Sequence, residues 1–168
     1  MNLVANALLD IPFKKWHLIS VYTSKKERYL TTTTFNTLKK NGCSDALSLR
    51  FWDITDEQYE KIRADYPKAC LFSITDAQRI VDFLDVIRET DDDALIIHCD
   101  AGISRSGAIG TFACDYFGLD YNEFMRENPY LLSNGYVLRM LHRCAGMTPI
   151  GAHTGIDERP PATEDSIF

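Results

Sequence analysis

The chain has 168 residues, of which 45% are hydrophobic and 25% are charged, and its formal net charge is −6. This is the composition of one ordinary globular domain, and it excludes a collagen, a disordered chain and a disulfide-rich mini-protein. The acidic balance disfavours binding to nucleic acids or to anionic membranes, but it does not exclude a local cationic pocket.

The first part of the chain is predicted to alternate strands with helices. Residues 16–22 are rich in aromatic and β-branched side chains, which predicts a strand, and the alternating residues 46–51 predict a second strand. Between them, residues 29–40 predict a helix, which Asn41 and Gly42 terminate.

Two capping boxes predict helices after the second strand. Thr55 with Gln58 begins a helix that runs towards Asp65, and Thr75 with Gln78 begins another. The second helix has apolar residues at the i, i+3, i+4, i+7 spacing of an amphipathic helix. These residues are Ile80, Phe83, Leu84 and Ile87.

The second half of the chain continues the alternation. The short apolar run 94–98 predicts a buried parallel strand, and the small and apolar residues 106–117 predict a helix that is buried on most sides. Asp120 is expected to cap a short helix, and Ser133 or Asn134 is expected to cap the last one.

Strands that alternate with helices predict an α/β fold with a central, mostly parallel sheet flanked by helices. We expect one domain over residues 1–146. Residues 147–168 contain prolines and show little periodicity, which predicts a flexible C-terminal tail. Because ligands bind beyond the carboxyl ends of parallel strands, the segment after the strand 94–98 is the first candidate for a functional site.

The cysteines predict a reduced protein without a metal site. There are five of them, with no C-x-x-C pair and no Cys/His cluster at zinc spacing. No apolar stretch is long enough for a membrane span and no cationic flank precedes the first apolar run, so we expect a cytoplasmic protein. Four cysteines are expected to be small core residues, and they are Cys43, Cys70, Cys114 and Cys144.

The segment 98–107 carries the chemistry of the chain. Cys99 ends the predicted strand, and six residues later Arg105 opens the predicted helix, whose dipole and unpaired N–H groups attract an anion. The planar guanidinium of Arg105 can bind two phosphate oxygens at once. A loop this tight turns its backbone N–H groups inward to bind an anion, and the loop residues are Asp100, Ala101, Gly102, Ile103 and Ser104.

Cys99 is the candidate nucleophile. At the base of a cationic pocket its thiolate is stabilised, which lowers the pKa of the thiol below the usual value for cysteine. A thiolate beneath a bound phosphoryl group is in line to attack phosphorus. Ser106 follows Arg105 and is placed to donate a hydrogen bond to the sulfur, which eases the departure of the thiolate when the intermediate is hydrolysed.

The segment resembles the H-C-x-x-G-x-x-R-S/T motif of cysteine-based protein tyrosine phosphatases, especially the compact dual-specificity-like and prokaryotic members. The similarity is close over residues 94–118 and looser over residues 44–145. It implies a protein tyrosine phosphatase-like fold, a reaction without metal or organic cofactor, and a histidine that orients the loop and tunes the nucleophile. The matching residues are His98, Cys99, Gly102, Arg105 and Ser106.

The resemblance also implies an aspartate that protonates the leaving oxygen as a general acid. Asp56 and Asp76 fall at predicted first positions of helices, where the helix dipole already explains a carboxylate, and Asp65 lies near a solvated helix end. Asp53 lies just beyond the carboxyl end of the strand 46–51, and its surroundings resemble the acid loop of small prokaryotic members. We therefore favour Asp53, and Asp56 stays the alternative.

These residues predict a phosphatase for phosphotyrosine, with phosphoserine and phosphothreonine as further candidate substrates, that acts through a phosphocysteine intermediate. The expected partner is a phosphorylated protein or a small phosphoester, with no nucleic acid and no membrane. One alternative is a phosphatase for an RNA 5′-triphosphate or a small phosphorylated metabolite, and the acidic charge weakens its RNA version. A second alternative is a phosphate-binding module with little catalysis, which the intact Cys99 and Arg105 disfavour.

Overall fold

The structure is a computed structural model that describes residues 14–23, 31–90 and 94–148. Within this part of the chain three parallel strands form one sheet in the order β2-β1-β3. The strands are β1 (Trp16–Tyr22), β2 (Cys43–Arg50) and β3 (Ala94–His98). All three predicted strands are therefore present, and the predicted α/β class with a parallel sheet is confirmed.

Six helices flank this sheet in the described part of the chain. They are α1 (Thr32–Lys40), α2 (Asp56–Ile62), α3 (Ile74–Arg88), α4 (Arg105–Phe117), α5 (Tyr121–Glu127) and α6 (Gly135–Cys144). The central strand β1 is buried on both faces. Ile19 and Val21 pack in the larger core with α3, α4 and α6, whereas Leu18 packs with Leu38 of α1 in a smaller core.

Burial of these side chains fixes the layers. Each fully buried aliphatic side chain contributes roughly 1.5–3 kcal/mol relative to an exposed one, so the alternation of β1 between two cores determines which helices lie on which face. The larger core also contains Cys99, which directly follows β3, and Ala108 of α4. The core thereby fixes the loop between β3 and α4 at one edge of the sheet.

Most predicted helix starts are correct. Thr55 and Gln58 form the predicted capping box of α2, and Asp120 caps α5. Of the two candidate caps for α6, the structure selects Asn134, because the Ser133 hydroxyl pairs with Thr111 instead, at 3.0 Å. The strand β2 begins at 43, three residues earlier than predicted, and ends at 50, one residue earlier. The helix α4 begins at Arg105, one residue earlier than predicted.

Two helix starts differ from the prediction. The capping box expected at Thr75 and Gln78 is wrong, because Ser73 and Asp76 form an equivalent box two residues earlier. Asp76 is thus the partner of the cap and not the first residue of a helix. The described part of α1 begins at 32 with a cap from Thr31, and residues 29 and 30 lie outside the described chain.

Two burial predictions need correction, and the predicted tail lies mostly beyond the described residues. Cys43 and Cys114 are buried, but Cys70 and Cys144 are only half-buried, so the prediction of four core cysteines is wrong for two of them. The strand β3 is half-buried along its length, because it lies at the edge of the described sheet. Of the predicted tail, residues 149–168 lie outside the described chain.

Candidate active site

The loop 99–104 joins the carboxyl end of β3 to α4, as predicted. Gly102 has a φ of +69°, which side chains rarely adopt. No atom lies within 4 Å of the Cβ that another residue would add there, so the backbone angle and not crowding requires glycine. The Ile103 carbonyl accepts from the Leu132 N–H at 3.3 Å, and the Ser104 carbonyl accepts from the Asn134 N–H at 3.2 Å. The segment before α6 therefore holds the loop from outside.

Cys99 lies at the start of this loop and is 4% exposed. Its sulfur is 3.3 Å from the Ser106 hydroxyl. Burial raises the pKa of the thiol, but hydrogen bonds from the Ser106 hydroxyl and N–H, the charge of Arg105 and the Ile103 N–H outweigh burial. The pKa of the Cys99 thiol therefore lies below its usual value, which is the property that a thiolate nucleophile requires.

Arg105 is the first residue of α4 and is 4% exposed. Its Nη1 donates to the Phe51 carbonyl at 2.8 Å and to the Thr23 hydroxyl at 3.0 Å. Its Nη2 donates to the Asp100 carboxylate at 2.6 Å. The Nε atom is buried and has no hydrogen-bond partner among the described residues. The guanidinium is thus held on one side and keeps a donor available for an anion.

Asp53 is the candidate acid that lies at the loop. Its Oδ1 accepts from the Ser104 hydroxyl and from the Asn134 side-chain amide, both at 2.8 Å. Within the described residues, no hydrogen bond joins the other three candidates to the loop, since Asp56 and Asp65 are exposed and Asp76 is engaged in the capping box of α3. The carboxyl-end argument that favoured Asp53 therefore placed it at the correct edge of the sheet.

The helix α4 is the exception to side-chain capping. The other five helices in the described chain each have a side chain that caps their first N–H groups. The N-cap of α4 is Ser104, but its side chain makes no cap hydrogen bond and its hydroxyl donates to Asp53 instead. The amino end of α4 therefore has no cap from its N-cap side chain, while the Cys99 sulfur accepts from the Ser106 N–H, and the helix dipole favours an anion there.

His98 precedes the nucleophile at the end of β3. Burial lowers the pKa of its imidazole, and the hydrogen bond with the Cys99 backbone and the charge of Asp100 only partly oppose this. The imidazole is therefore neutral near pH 7. A neutral, half-buried histidine fits the predicted role of orienting the loop better than a proton transfer to substrate.

Three contacts of the site escaped the sequence prediction. Thr23 and the Phe51 carbonyl hold Arg105, and Asn134 joins the candidate acid to the loop although it was expected only as a helix cap. The rule on strand ends offered a signal for the first two, because Thr23 directly follows β1 and Phe51 directly follows β2. No local signal indicated the second role of Asn134.

Exposed apolar side chains lie beside the loop. The Ile103 and Leu132 side chains are both exposed, and a backbone hydrogen bond joins these two residues. Tyr130, two residues before Leu132, is 84% exposed. We call these three exposed residues the apolar rim, and it is a surface on which an aromatic ring can pack.

The described ranges 14–23, 31–90 and 94–148 contain no group of three His, Cys, Asp or Glu side chains arranged to bind a metal ion. Over the same ranges, every helix is too short or too polar to cross a membrane.

Two solved structures are similar to this one. The crystal structure of Tk-PTP in the active form matches with a TM-score of 0.54 and 17% sequence identity, over 86% of this chain and 87% of that chain. The human tyrosine phosphatase-like serine/threonine/tyrosine-interacting protein matches with a TM-score of 0.49 and 16% identity, over 79% of this chain and 78% of that chain. At 17% identity, the likeness to Tk-PTP concerns the fold alone.

A comparison of the sequence with protein families is more specific. No curated protein matches the chain significantly. The model of the tyrosine phosphatase family, however, matches residues 11–153, which include the loop, Asp53 and all the described helices and strands. The resemblance inferred from the motif is confirmed, and the chain belongs to the tyrosine phosphatase family.

Proposed function

We propose that the protein is a phosphatase that hydrolyses phosphotyrosine in proteins through a phosphocysteine intermediate, with phosphoserine and phosphothreonine as further candidate substrates. The observation that carries the proposal is the state of Cys99. Its pKa is lowered, and its sulfur lies 3.3 Å from the Ser106 hydroxyl at the base of a loop that ends in Arg105. Such a thiolate beneath an anion-binding loop is suited to attack phosphorus.

The first step transfers the phosphoryl group to the enzyme. The Cys99 thiolate attacks phosphorus and forms the S–P bond while the P–O bond to the leaving group breaks. Arg105 and the loop N–H groups bind the three non-bridging oxygens, which carry the negative charge of the transition state. Asp53, protonated in this step, gives its proton to the leaving phenolate oxygen.

The second step hydrolyses the phosphocysteine. A water molecule attacks phosphorus, its proton passes to the Asp53 carboxylate, and the S–P bond breaks to release inorganic phosphate and the Cys99 thiolate. The Ser106 hydroxyl donates to the departing sulfur, which its present hydrogen bond already allows. Asp53 ends the cycle protonated, as it began, and the two steps need no metal or redox cofactor.

The surroundings of the loop favour an aryl ester in a protein over a polyanionic ligand. The apolar rim offers packing for the phosphotyrosine ring. The residues 100–104 include no lysine, and Asp100 adds a negative charge. A second phosphate close to the reacting one, as in a 5′-triphosphate, would be repelled there. The reduced cysteines and the thiolate chemistry fit a cytoplasmic protein, where thiols stay reduced.

The direct test is turnover of p-nitrophenyl phosphate and of a phosphotyrosine peptide. We expect hydrolysis by the native protein and none by Cys99→Ser, which keeps the pocket but lacks the thiolate. Cys144→Ser is the matched control, since this half-buried cysteine lies on α6. Residual turnover in Cys99→Ser would contradict the covalent mechanism.

The same assay separates the alternatives. If the native protein binds phosphate but hydrolyses none of the esters, the chain is a phosphate-binding module. If it hydrolyses a 5′-triphosphate or a small metabolite faster than the peptide, the substrate class is wrong. Cys99→Ser, used to retain phosphorylated proteins from a lysate, then identifies the physiological substrates by mass spectrometry.

A further inference from the structure

The guanidinium of Arg105 is held by a closed ring of hydrogen bonds. The Thr23 hydroxyl accepts from Nη1 at 3.0 Å and donates to the Asp100 carboxylate at 2.6 Å. The same carboxylate oxygen accepts from Nη2 at 2.6 Å. Because the two terminal nitrogens, the hydroxyl and the carboxylate oxygen complete one ring, Thr23 and Asp100 both lie on the edge of the guanidinium that Nη1 and Nη2 span.

The remaining edge matches a phosphate. A guanidinium has five N–H groups. Phe51 and Thr23 engage the two on Nη1, and Asp100 engages one on Nη2. The other Nη2 hydrogen and the Nε hydrogen are parallel and form the second edge of the group. Nε has no partner in the described chain, although it is buried. Two parallel N–H groups on one edge are the arrangement that binds two phosphate oxygens.

We infer that Thr23 and Asp100 are positioning residues, which fix the guanidinium of Arg105 so that its Nε–Nη2 edge faces the phosphate. The inference rests on the proposed function and adds a specific role for two residues within it. Neither residue touches the reacting atoms in this role. They act through Arg105, and they come from different parts of the chain: Thr23 follows β1, whereas Asp100 lies in the loop itself.

This arrangement has an energetic reason. An arginine side chain has about 2 kcal/mol of rotamer entropy to lose when it is ordered. If the side chain is already ordered before the substrate arrives, binding does not bear that cost. Arg105 is also buried, and a buried charge is destabilising unless a partner such as the Asp100 carboxylate offsets it. The pair with Asp100 therefore offsets the cost of burying Arg105 and also orders the side chain that binds phosphate.

The opposite role for Asp100 makes the opposite prediction. If its carboxylate occupied the position of the phosphate, removing it would strengthen phosphate binding. If it positions Arg105, removing it weakens binding. We expect Asp100→Ala to raise the inhibition constant of inorganic phosphate by about tenfold, given that hydrogen bonds to charged groups contribute about 1.5–3 kcal/mol and that this carboxylate is partly exposed. The kcat for an aryl phosphate should fall as well.

Conservative variants separate positioning from folding. Asp100→Asn keeps an oxygen that accepts from Nη2, so it should recover most of the phosphate affinity that Asp100→Ala loses. Thr23→Val should weaken phosphate binding less than Asp100→Ala, and Thr23→Ser should restore it. Asp82→Ala removes an exposed carboxylate on α3 and is the control for charge alone. Circular dichroism verifies that each variant is folded, and the NMR signal of the Arg105 Nε–H reports its order directly.

Each outcome decides the inference. Tighter phosphate binding by Asp100→Ala would show that the carboxylate competes with phosphate, and unchanged binding in all Thr23 and Asp100 variants would show that neither residue positions Arg105. If Asp100→Ala does not fold, Asp100→Asn and Thr23→Val give the same comparison. A native protein that binds phosphate without turnover refutes the proposed function but leaves this test intact, whereas a native protein that does not bind phosphate refutes both.

Discussion

Each end of α4 has a pair of hydrogen-bonded ionisable side chains, of which at least one is buried, and the two pairs differ in one respect. At the amino end Arg105 pairs with Asp100, and near the carboxyl end Asp115 pairs with His142 of α6 at 2.9 Å. The Nδ1 of His142 is bonded to the Leu138 carbonyl at 3.0 Å, so both ring nitrogens have protein partners. Arg105, in contrast, keeps a buried Nε without a partner in the described chain.

This difference separates a structural pair from a functional one. Buried polar atoms in native proteins nearly always have partners, because a buried atom without one costs about 1–3 kcal/mol. The pair of Asp115 and His142 meets this rule and joins two helices. The Arg105 pair departs from it beside a cysteine whose pKa is lowered. Incomplete hydrogen bonding next to a perturbed pKa, and not burial of an ionisable side chain as such, marks the candidate active site.

The most severe test of the pair of Arg105 and Asp100 is Arg105→Lys. The change keeps the positive charge but replaces the planar edge with a single ammonium. Arginines that stabilise phosphoryl-transfer transition states contribute about 10³–10⁵-fold, so kcat/KM for p-nitrophenyl phosphate should fall by about that factor. Arg63→Lys, on the exposed end of α2, is the control and should leave kcat/KM unchanged. Near-native activity of Arg105→Lys would mean that charge alone matters at this position.

The next test concerns Asp53, the candidate general acid. Asp53→Asn keeps an oxygen that accepts from Ser104 and Asn134, but it has no proton to give to the leaving group. It should lower kcat for a phosphotyrosine peptide by about 10²–10⁴-fold and remove the basic limb of the pH–rate profile. The loss should be smaller for p-nitrophenyl phosphate, because its leaving oxygen needs less protonation.

Asp56→Asn is the matched control for the acid. Asp56 is exposed on the first turn of α2, so its loss should cost only about 0.3–1 kcal/mol of stability and no activity. If Asp56→Asn removes the basic limb while Asp53→Asn keeps it, the two assignments are reversed. If neither variant changes the limb, the acid lies on another segment of the chain.

A smaller effect is expected from the hydroxyl that holds the nucleophile. A lowered pKa keeps a thiol ionised at pH values where an ordinary cysteine is protonated, so iodoacetamide should label Cys99 first at pH 6. Burial and nearby carboxylates raise the pKa of Cys114 and Cys144, so those thiols should react last. Ser106→Ala removes hydrogen bonding that lowers the pKa of Cys99. The rate of Cys99 labelling at pH 6 should therefore fall several-fold, and its pH profile should shift towards higher pH. An unshifted profile would show that the hydroxyl does not stabilise the thiolate.

The smallest effect on activity is expected at the pair of Asp115 and His142. Asp115→Ala leaves the buried His142 Nε2 without its carboxylate, which should cost about 1–3 kcal/mol in the free energy of unfolding, measured in urea. The kcat/KM of the folded protein should not change. A fall in kcat/KM would show that the two ends of α4 are coupled and would remove the distinction between the pairs.

The sequence predicted the parts of the site that are local. The loop residues, Cys99 and Arg105 follow from one motif between a strand and a helix, and Asp53 follows from the rule that sites lie at the carboxyl ends of parallel strands. The start of α3 could not be predicted, because the patterns Ser73 with Asp76 and Thr75 with Gln78 are equivalent in a local reading.

The contacts that complete the site were not predictable, because they join distant positions. The bonds from Ser104 and Asn134 to Asp53 span 51 and 81 residues, and the bond from Arg105 to Thr23 spans 82. They depend on the strand order β2-β1-β3, which brings the ends of β1 and β2 next to the loop. No pattern within one segment contains that order, so the residues that orient the reacting groups emerged only from the fold.

The missing N-cap of α4 links the proposed binding of phosphate to the stability of the folded chain. The Ser104 hydroxyl donates to Asp53, so α4 has no cap from its N-cap side chain, and such a cap stabilises other helices by about 0.5–2 kcal/mol. An anion bound at that end supplies the interaction from outside. An anion that binds only the folded chain adds about 2.7 kcal/mol to the free energy of unfolding at 100 times its Kd, and the melting temperature rises with its concentration. Thermal denaturation would thus reveal ligands of this site, even for a variant that cannot turn them over.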